Sequence, residues 1–118
     1  MKRYPGLTLR VLADGGAAMG PGKARLLEAI ARTGSISAAA RGMGMSYRRA
    51  WLLVEEVNAS FAAPLVVAAA GGRKGGGAEV TAAGLDVVRR FLAMEEKASA
   101  AIAADLRKFE KTLRRRTR

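Results

Sequence analysis

The first twenty residues alternate briefly between apolar and polar side chains and then break at glycines. From Leu7 to Leu12 the apolar positions alternate with polar ones before the segment ends apolar, a pattern that predicts a short strand. Asp14-Gly15-Gly16 predicts a turn, and Gly20-Pro21-Gly22 predicts a second break in regular structure. The pattern therefore predicts a single short strand ahead of the first helix.

The next segment has apolar side chains at steps of three and four residues, which is typical of an amphipathic helix. Gly34 predicts the end of this helix, because glycine readily adopts the left-handed conformation in which helices terminate. The apolar positions of the helix are Leu26, Leu27, Ile30 and Ala31.

Two further helices are predicted by serine caps that follow one another closely. Ser35 can cap a helix from Ile36 to about Met43. Ser46 can cap a longer helix from Tyr47 to about Phe61. Gly44 lies between the two helices, where a tight turn needs a residue that tolerates a positive φ. This order of helix, glycine turn and helix meets the geometric requirements of a helix-turn-helix.

In a helix-turn-helix over about residues 36–58, the start of the second helix presents polar side chains to the outside. An arginine there can form paired hydrogen bonds with guanine, and serine or tyrosine can donate to phosphate. An ordinary helical hairpin with a solvated basic face is the alternative, because short apolar patterns with one glycine are common. The outward residues are Ser46, Tyr47, Arg48 and Arg49, and the inward ones are Ala39, Met43, Met45, Ala50 and Leu53.

A glycine-rich hairpin is predicted over about residues 65–80. Pro64 favours an extended backbone, and the strands predicted after it are Leu65 to Ala68 and Ala78 to Val80. A two-stranded hairpin after a helix-turn-helix is the order of a winged helix. Arg73 and Lys74 in the loop would then reach the DNA backbone or the groove edge. The alternative is a flexible hairpin whose charges only promote solubility.

The last predicted helix covers residues 82–113, with Thr81 as its cap. Without a break it would be roughly 45 Å long, which is more than a small domain can cover. We therefore expect part of this helix to pack on a second copy of the chain, and we expect residues 114–118 to form a basic tail. The apolar positions of its seven-residue repeat are Leu85, Val88, Leu92, Ile102, Leu106, Phe109 and Leu113.

The composition indicates that the partner is a polyanion. The 118 residues carry 21 Lys and Arg against 10 Asp and Glu, a formal net charge of +11, which favours nucleic acid first and an acidic membrane second. The sequence has no Cys and no His, so the usual nucleophiles, general bases and metal ligands are missing, and we expect no enzyme, cofactor or metal site. No apolar run is long enough to span a membrane, and the start does not read as a signal peptide. We expect a cytoplasmic protein.

Two aromatic residues on the third helix have competing interpretations. Trp51 is predicted to pack in the core, with its indole N–H bound to a carbonyl, and a DNA contact is its alternative role. Tyr47 fits equally well as a packed residue with a solvated hydroxyl or as a DNA contact. A basic protein that assembles through its helices, with only non-specific affinity for nucleic acid, is the alternative function.

The segments Gly34 to Ala40 and Gly44 to Trp51 resemble the DNA-binding domain of the molybdate-responsive ModE regulators, whose winged helix is related to that of LysR-type regulators. The resemblance extends from Leu7 to about Met94. It implies a homodimer that binds a two-fold related operator, with the first strand and the last helix helping to join the subunits. The candidate DNA-binding residues are Ser35, Ser37, Ser46, Tyr47, Arg48, Arg49, Arg73 and Lys74.

The C-terminus departs from the ModE pattern. Full-length members carry two small β-barrel modules that bind molybdate, whereas this sequence resembles a stand-alone DNA-binding domain, so we do not expect the chain itself to bind molybdate. The predicted fold is α+β and mainly helical. It is a winged helix-turn-helix over residues 1–81, with a short N-terminal strand and a two-stranded Gly-rich wing. A long dimerisation helix over residues 82–113 and a tail over residues 114–118 follow it.

Overall fold

A computed structural model describes residues 6–69 and 77–114 of the chain. In these two ranges the chain forms two antiparallel hairpins and five helices, and the predicted winged helix-turn-helix is confirmed. In chain order the elements are β1 (Val11–Ala13), β2 (Gly16–Met19), α1 (Pro21–Thr33), α2 (Ile36–Met43), α3 (Tyr47–Ser60), β3 (Val66–Ala69), β4 (Gly77–Val80), α4 (Ala82–Ala101) and α5 (Ala103–Glu110).

Helix α1 lies at the centre of the core, where it contacts α2, α3, α4 and β4. Its residues Leu27 and Ile30 are completely buried, and burial of a side chain of this size stabilises the fold by about 1.5–3 kcal/mol. Alanines on α2 and α3 allow these helices to approach α1 closely. The other elements contribute Met19, Ala39, Ala40, Ala50, Val57, Leu65 and Phe91 to the same cluster.

The glycine and proline predicted to break the chain near residue 20 instead start α1. Pro21 occupies the beginning of the helix, where its missing N–H leaves no hydrogen bond unmade and its fixed φ suits the helix. At the other end Gly34 has a φ of 73° and donates its N–H to the carbonyl of Ile30 at 2.7 Å. The predicted helix end is therefore confirmed.

The strand predicted over Leu7 to Leu12 is wrong in its extent, and a second strand was missed. Only Val11 and Leu12 of that segment belong to β1, which pairs with β2 in an antiparallel hairpin. Leu9 of that segment has a different partner, because its backbone N–H donates to the Glu95 carboxylate on α4 at 3.2 Å. The chain thus contacts α4 just before the hairpin.

The continuous helix predicted over residues 82–113 is also wrong. It is interrupted at Ile102, whose φ of −113° and ψ of 20° lie outside the helical range, and α4 and α5 follow on either side. Phe91 is the last buried residue of α4, and α5 has no buried residue. The buried residues of α4 therefore end about three turns before the break.

None of the helices in the described ranges has both the length and the apolar character that crossing a bilayer requires.

Candidate nucleic-acid interface

The turn between α2 and α3 is held by the residues that the sequence predicts. The Ser35 hydroxyl accepts the N–H of Ala38 at 3.0 Å, and the Ser46 hydroxyl accepts the N–H of Arg49 at 3.1 Å. Between the two helices, Gly44 adopts a φ of 70°, a conformation that side chains other than glycine rarely adopt. These bonds satisfy N–H groups that a helix start leaves unpaired, and they fix the angle at which α3 leaves the turn.

Helix α3 buries one side and exposes the other. Arg48 and Arg49 are both exposed, and no acidic side chain in residues 6–69 or 77–114 forms a salt bridge with either of them. Their guanidinium groups therefore keep all their donors for a ligand, while their contact with DNA stays a prediction. The buried residues of α3 are Ala50, Val54 and Val57.

Ser35, Ser37 and Ser46 lie at the starts of α2 and α3. Ser35 and Ser46 use their hydroxyl oxygens as acceptors in the caps, so their O–H groups remain able to donate. Ser37 is exposed in the first turn of α2. The structure thus places these three hydroxyls at two helix N-termini, which are favourable positions for phosphate.

The prediction that Trp51 packs in the core is wrong, because 41% of its surface is exposed. It lies one turn after Tyr47, which is 55% exposed, on the side of α3 that faces the wing. Val54 and Val66, which are buried, lie beside it. Together with the start of α2 and the wing strands, the two aromatic residues line a groove of about 320 Å³.

Leu52 is an exposed residue of α3 that the sequence reasoning missed. It follows Arg48 by four residues and precedes Glu55 by three, so these three side chains share the face of α3 opposite the core. The sequence contains a signal for this exposure, because Leu52 is apolar but is not one of the apolar positions that the helical spacing directs toward the core.

The wing is attached to the rest of the fold by backbone hydrogen bonds. Ala78 on β4 donates to the carbonyl of Gly34 at 3.0 Å, and Thr81 donates to the carbonyl of Leu65 at 2.9 Å. Strands β3 and β4 pair in register from Val66 opposite Val80 to Ala69 opposite Gly77. The wing is therefore fixed next to the start of α2, whereas Arg73 and Lys74 lie outside the described residues.

On the other flank of α3, the basic side chain of Lys23 has structural partners. Its Nζ lies 3.2 Å from Oε1 of Glu56 and donates to the carbonyl of Ala17 at 2.8 Å. Lys23 on α1 therefore connects the first hairpin with Glu56 on α3, and this carboxylate compensates its charge. Lys23 and Glu56 line a groove with a volume of about 970 Å³. Arg10 and Arg49 line it as well, and both are exposed.

Helices α2 and α3 followed by the β3–β4 hairpin have the arrangement of a winged helix-turn-helix protein. The sequence model of the bacterial regulatory helix-turn-helix protein family of lysR type matches residues 22–85, which is more than half of the chain. The chain belongs to this family.

ModE proteins are among the proteins to which the chain is similar, and the resemblance to ModE is confirmed. The chain is 50% identical over 103 residues to the molybdenum-pterin-binding protein MopB of Rhodobacter capsulatus, covering 87% of the chain and 37% of that protein. It is 44% identical over 82 residues to the molybdenum transport protein ModE of Azotobacter vinelandii, covering 70% and 30%. It is 39% identical over 71 residues to the DNA-binding transcriptional dual regulator ModE of Escherichia coli K12, covering 60% and 27%. The chain thus spans about a third of the length of these relatives.

The fold also resembles a solved structure. The crystal structure of ArgP from Mycobacterium tuberculosis superposes with a TM-score of 0.51 at 20% sequence identity, over 71% of this chain and 30% of that one. At this identity the likeness concerns the fold alone, and it agrees with a winged helix.

Proposed function

We propose that the chain binds double-stranded DNA through α3 as a sequence-specific transcriptional regulator. The observation that carries this proposal is the pair Arg48 and Arg49. Both side chains are exposed in the first turn of a helix whose start is fixed by the Ser46 cap. A helix of this kind fits the major groove, and arginine there forms paired hydrogen bonds with the O6 and N7 atoms of guanine.

The surroundings of α3 supply contacts to the DNA backbone in this proposal. The N-termini of α2 and α3 direct N–H groups outward, and the hydroxyls of Ser35, Ser37 and Ser46 are beside them. Tyr47 carries a further hydroxyl on the same side. We assign Arg73 and Lys74 to the wing loop as additional backbone contacts, and the net charge of +11 favours association with the duplex over its whole surface.

We propose that the active form is a homodimer that binds a two-fold related operator. Helix α1 and helix α4 leave an apolar groove of about 530 Å³ between them. Leu85 and Leu92 on α4 border this groove and are exposed in one copy of the chain. A second copy would cover these side chains, as regulators of this type commonly bind DNA with matched two-fold symmetry.

We further propose that the regulated genes serve molybdate metabolism. The printed names of the relatives refer to molybdenum transport, to a molybdenum pterin and to transcriptional regulation. The likeness to them covers the DNA-binding part, so the link to molybdate is assigned to the operator and its genes rather than to a site on this chain. Such a role places the protein in the cytoplasm, together with the DNA.

The experiment is selection of bound duplexes from a random pool, followed by affinity measurements on the selected operator. Arg48→Ala and Arg49→Ala should each cost about 1–3 kcal/mol if the arginine contacts a base, and should relax the preference at one position. Arg107→Ala is the matched control, because it removes the same charge from an exposed position on α5. Its affinity should stay close to that of the unchanged protein.

The salt dependence separates regulation from the alternative of helical assembly. Contact with about 6–10 phosphates should lower affinity by about 10³–10⁵ between about 50 and 200 mM salt. Binding that shows no preferred sequence, and that Arg48→Ala and Arg49→Ala weaken no more than Arg107→Ala, would favour a basic assembly protein with non-specific affinity for nucleic acid.

A further inference from the structure

Leu52 is an exposed apolar side chain on the outer face of α3, between Arg48 one turn before it and Glu55 one turn after it. Its surface is 42% exposed, and it lies one turn after Arg48 on the face opposite the buried residues of the helix. Tyr47 and Trp51 are exposed on a different side of α3, which faces the wing. A single exposed apolar residue is ordinary, so the groups that surround Leu52 decide what it can contact.

The charges around Leu52 indicate what covers it. Arg48 and Arg49 lie about one turn before it and Glu55 about one turn after it, and no acidic side chain of the described residues is paired with the arginines. An apolar protein surface placed on α3 would bury both charges without partners, at a large cost. A DNA duplex instead offers phosphates and guanines to the arginines and, in the major groove, one apolar group, the C5-methyl of thymine.

We propose that Leu52 contacts the C5-methyl group of a thymine in the operator and so makes the chain prefer a T·A pair at that position. This inference rests on the proposed function, in which α3 enters the major groove. It assigns to Leu52 a specificity-determining role next to the arginines.

The spacing along α3 restricts the position of that thymine. Residues four apart on a helix are separated by about 6 Å along its axis, so Arg48 and Leu52 reach neighbouring but separate places in the groove. The thymine contacted by Leu52 therefore lies in the same half-site as the guanine contacted by Arg48 and close to it.

The test replaces each thymine of the selected operator by deoxyuridine, one position at a time. Deoxyuridine lacks only the methyl group and keeps the pairing and the O4 acceptor, so the change isolates the apolar contact. For the unchanged protein, one thymine in each half-site should show a loss of affinity of about fourfold, the ratio expected for one buried methyl group.

Two variants connect this loss to Leu52. Leu52→Ala removes the contact, so its affinity for the thymine and deoxyuridine operators should be the same. Leu52→Met keeps an apolar side chain of similar volume and should retain most of the difference. Because Leu52 is exposed, both variants should keep the thermal unfolding midpoint of the unchanged protein, which confirms that they are folded.

Each other result overturns the inference. If Leu52→Ala still distinguishes thymine from deoxyuridine at that position, another side chain contacts the methyl. If no thymine of the selected operator responds to the exchange, no methyl group is contacted, while the selected sequence preserves the proposed function. If the selection yields no preferred sequence, the proposed function fails and the role of Leu52 fails with it.

Discussion

Asn58, in the last turns of α3, is bonded to Val66 at the start of the wing through both ends of its side-chain amide. Its Nδ2 donates to the carbonyl of Val66 at 2.9 Å, and its Oδ1 accepts the N–H of Val66 at 3.1 Å. The same Oδ1 accepts the N–H of Leu65 at 2.8 Å. One side chain of the candidate recognition helix thereby fixes the strand that begins the wing.

Replacement of Asn58 by alanine should destabilise the fold by about 1–3 kcal/mol, because the N–H groups of Leu65 and Val66 lose their partner in a partly buried place. Chemical denaturation measures this loss, and hydrogen exchange should show faster exchange of the Leu65 and Val66 amides. Ser60→Ala is the control, since it removes an exposed bond within α3 and should change stability by less than about 0.5 kcal/mol. Equal effects of the two substitutions would contradict the role of Asn58.

Gly84 lies where α4 approaches Leu65 and Val80. A Cβ atom at this position would lie 2.5 Å from the carbonyl oxygen of Leu65 and 2.7 Å from Cγ1 of Val80. Gly84→Ala should therefore destabilise the fold by about 1–3 kcal/mol, as overpacking of a core does. Thermal or chemical unfolding of the purified variant measures the change.

Gly42 provides the opposite expectation for the same substitution. It is exposed in α2, and a Cβ atom there would meet nothing within 4 Å. Gly42→Ala should stabilise the protein by about 0.5–1 kcal/mol, because alanine loses less conformational freedom in a helix than glycine. Were both alanine variants equally stable, contact at Gly84 would not explain why a glycine is needed there.

The parts of the fold that local chemistry determines could be predicted from the sequence. Helix α2 begins at Ser35, whose cap requires only the nearby N–H of Ala38, and it ends at Gly44, whose positive φ requires no partner elsewhere in the chain. Both bounds therefore depend on residues that are close together in the sequence. The strand β2 could not be predicted in this way. Its residues Gly16–Met19 show no alternation of apolar and polar side chains, and their pairing depends on a partner strand.

The errors at Trp51 and Ile102 have a common origin in tertiary packing. Helical periodicity identifies the centre of the buried face of α3, but the position of the wing decides whether a residue at its margin, such as Trp51, is covered. Likewise, the sequence has no proline or glycine near Ile102 that would predict the end of α4. The apolar repeat continues past the point where, beyond Phe91, the helix no longer has a core to pack on.

Asp86 on α4 should make the stability of the folded protein depend on pH. Hydrogen bonding from the Arg90 guanidinium, at 2.7 Å, holds the pKa of the Asp86 carboxyl below its ordinary value, with a further contribution from Arg89. A carboxyl whose pKa is lowered by folding stabilises the protein above its unfolded-state pKa. This stabilisation is lost as the pH falls through the folded-state pKa.

Asp86→Asn should therefore lower the unfolding midpoint slightly at neutral pH, and the difference from the unchanged protein should vanish in strong acid. The effect is small because the ion pairs are exposed to solvent. Glu96→Gln is the control, since Glu96 forms no salt bridge within the described part of the chain. A midpoint difference for Asp86→Asn that grows as the pH is lowered would have the wrong sign for this explanation.

The oligomeric state tests the proposed dimer. Leu85 is 53% exposed and lies on the same face of α4 as Leu92, beside the groove toward α1. The later apolar positions of the repeat lie on α5, beyond the break at Ile102 and without buried residues, so we expect the contact between copies to centre on α4. Light scattering at micromolar concentration should give twice the mass of one chain.

Leu85→Gln should shift the equilibrium toward the single chain, because a polar side chain would then be buried between the two copies. Met94→Gln is a matched control, since Met94 is 45% exposed on the same helix and nine positions further along, which places it on the opposite face. It should remain dimeric. A single-chain mass for the unchanged protein would remove the dimer and its two-fold operator, while α3 and its exposed arginines would still support binding of one half-site.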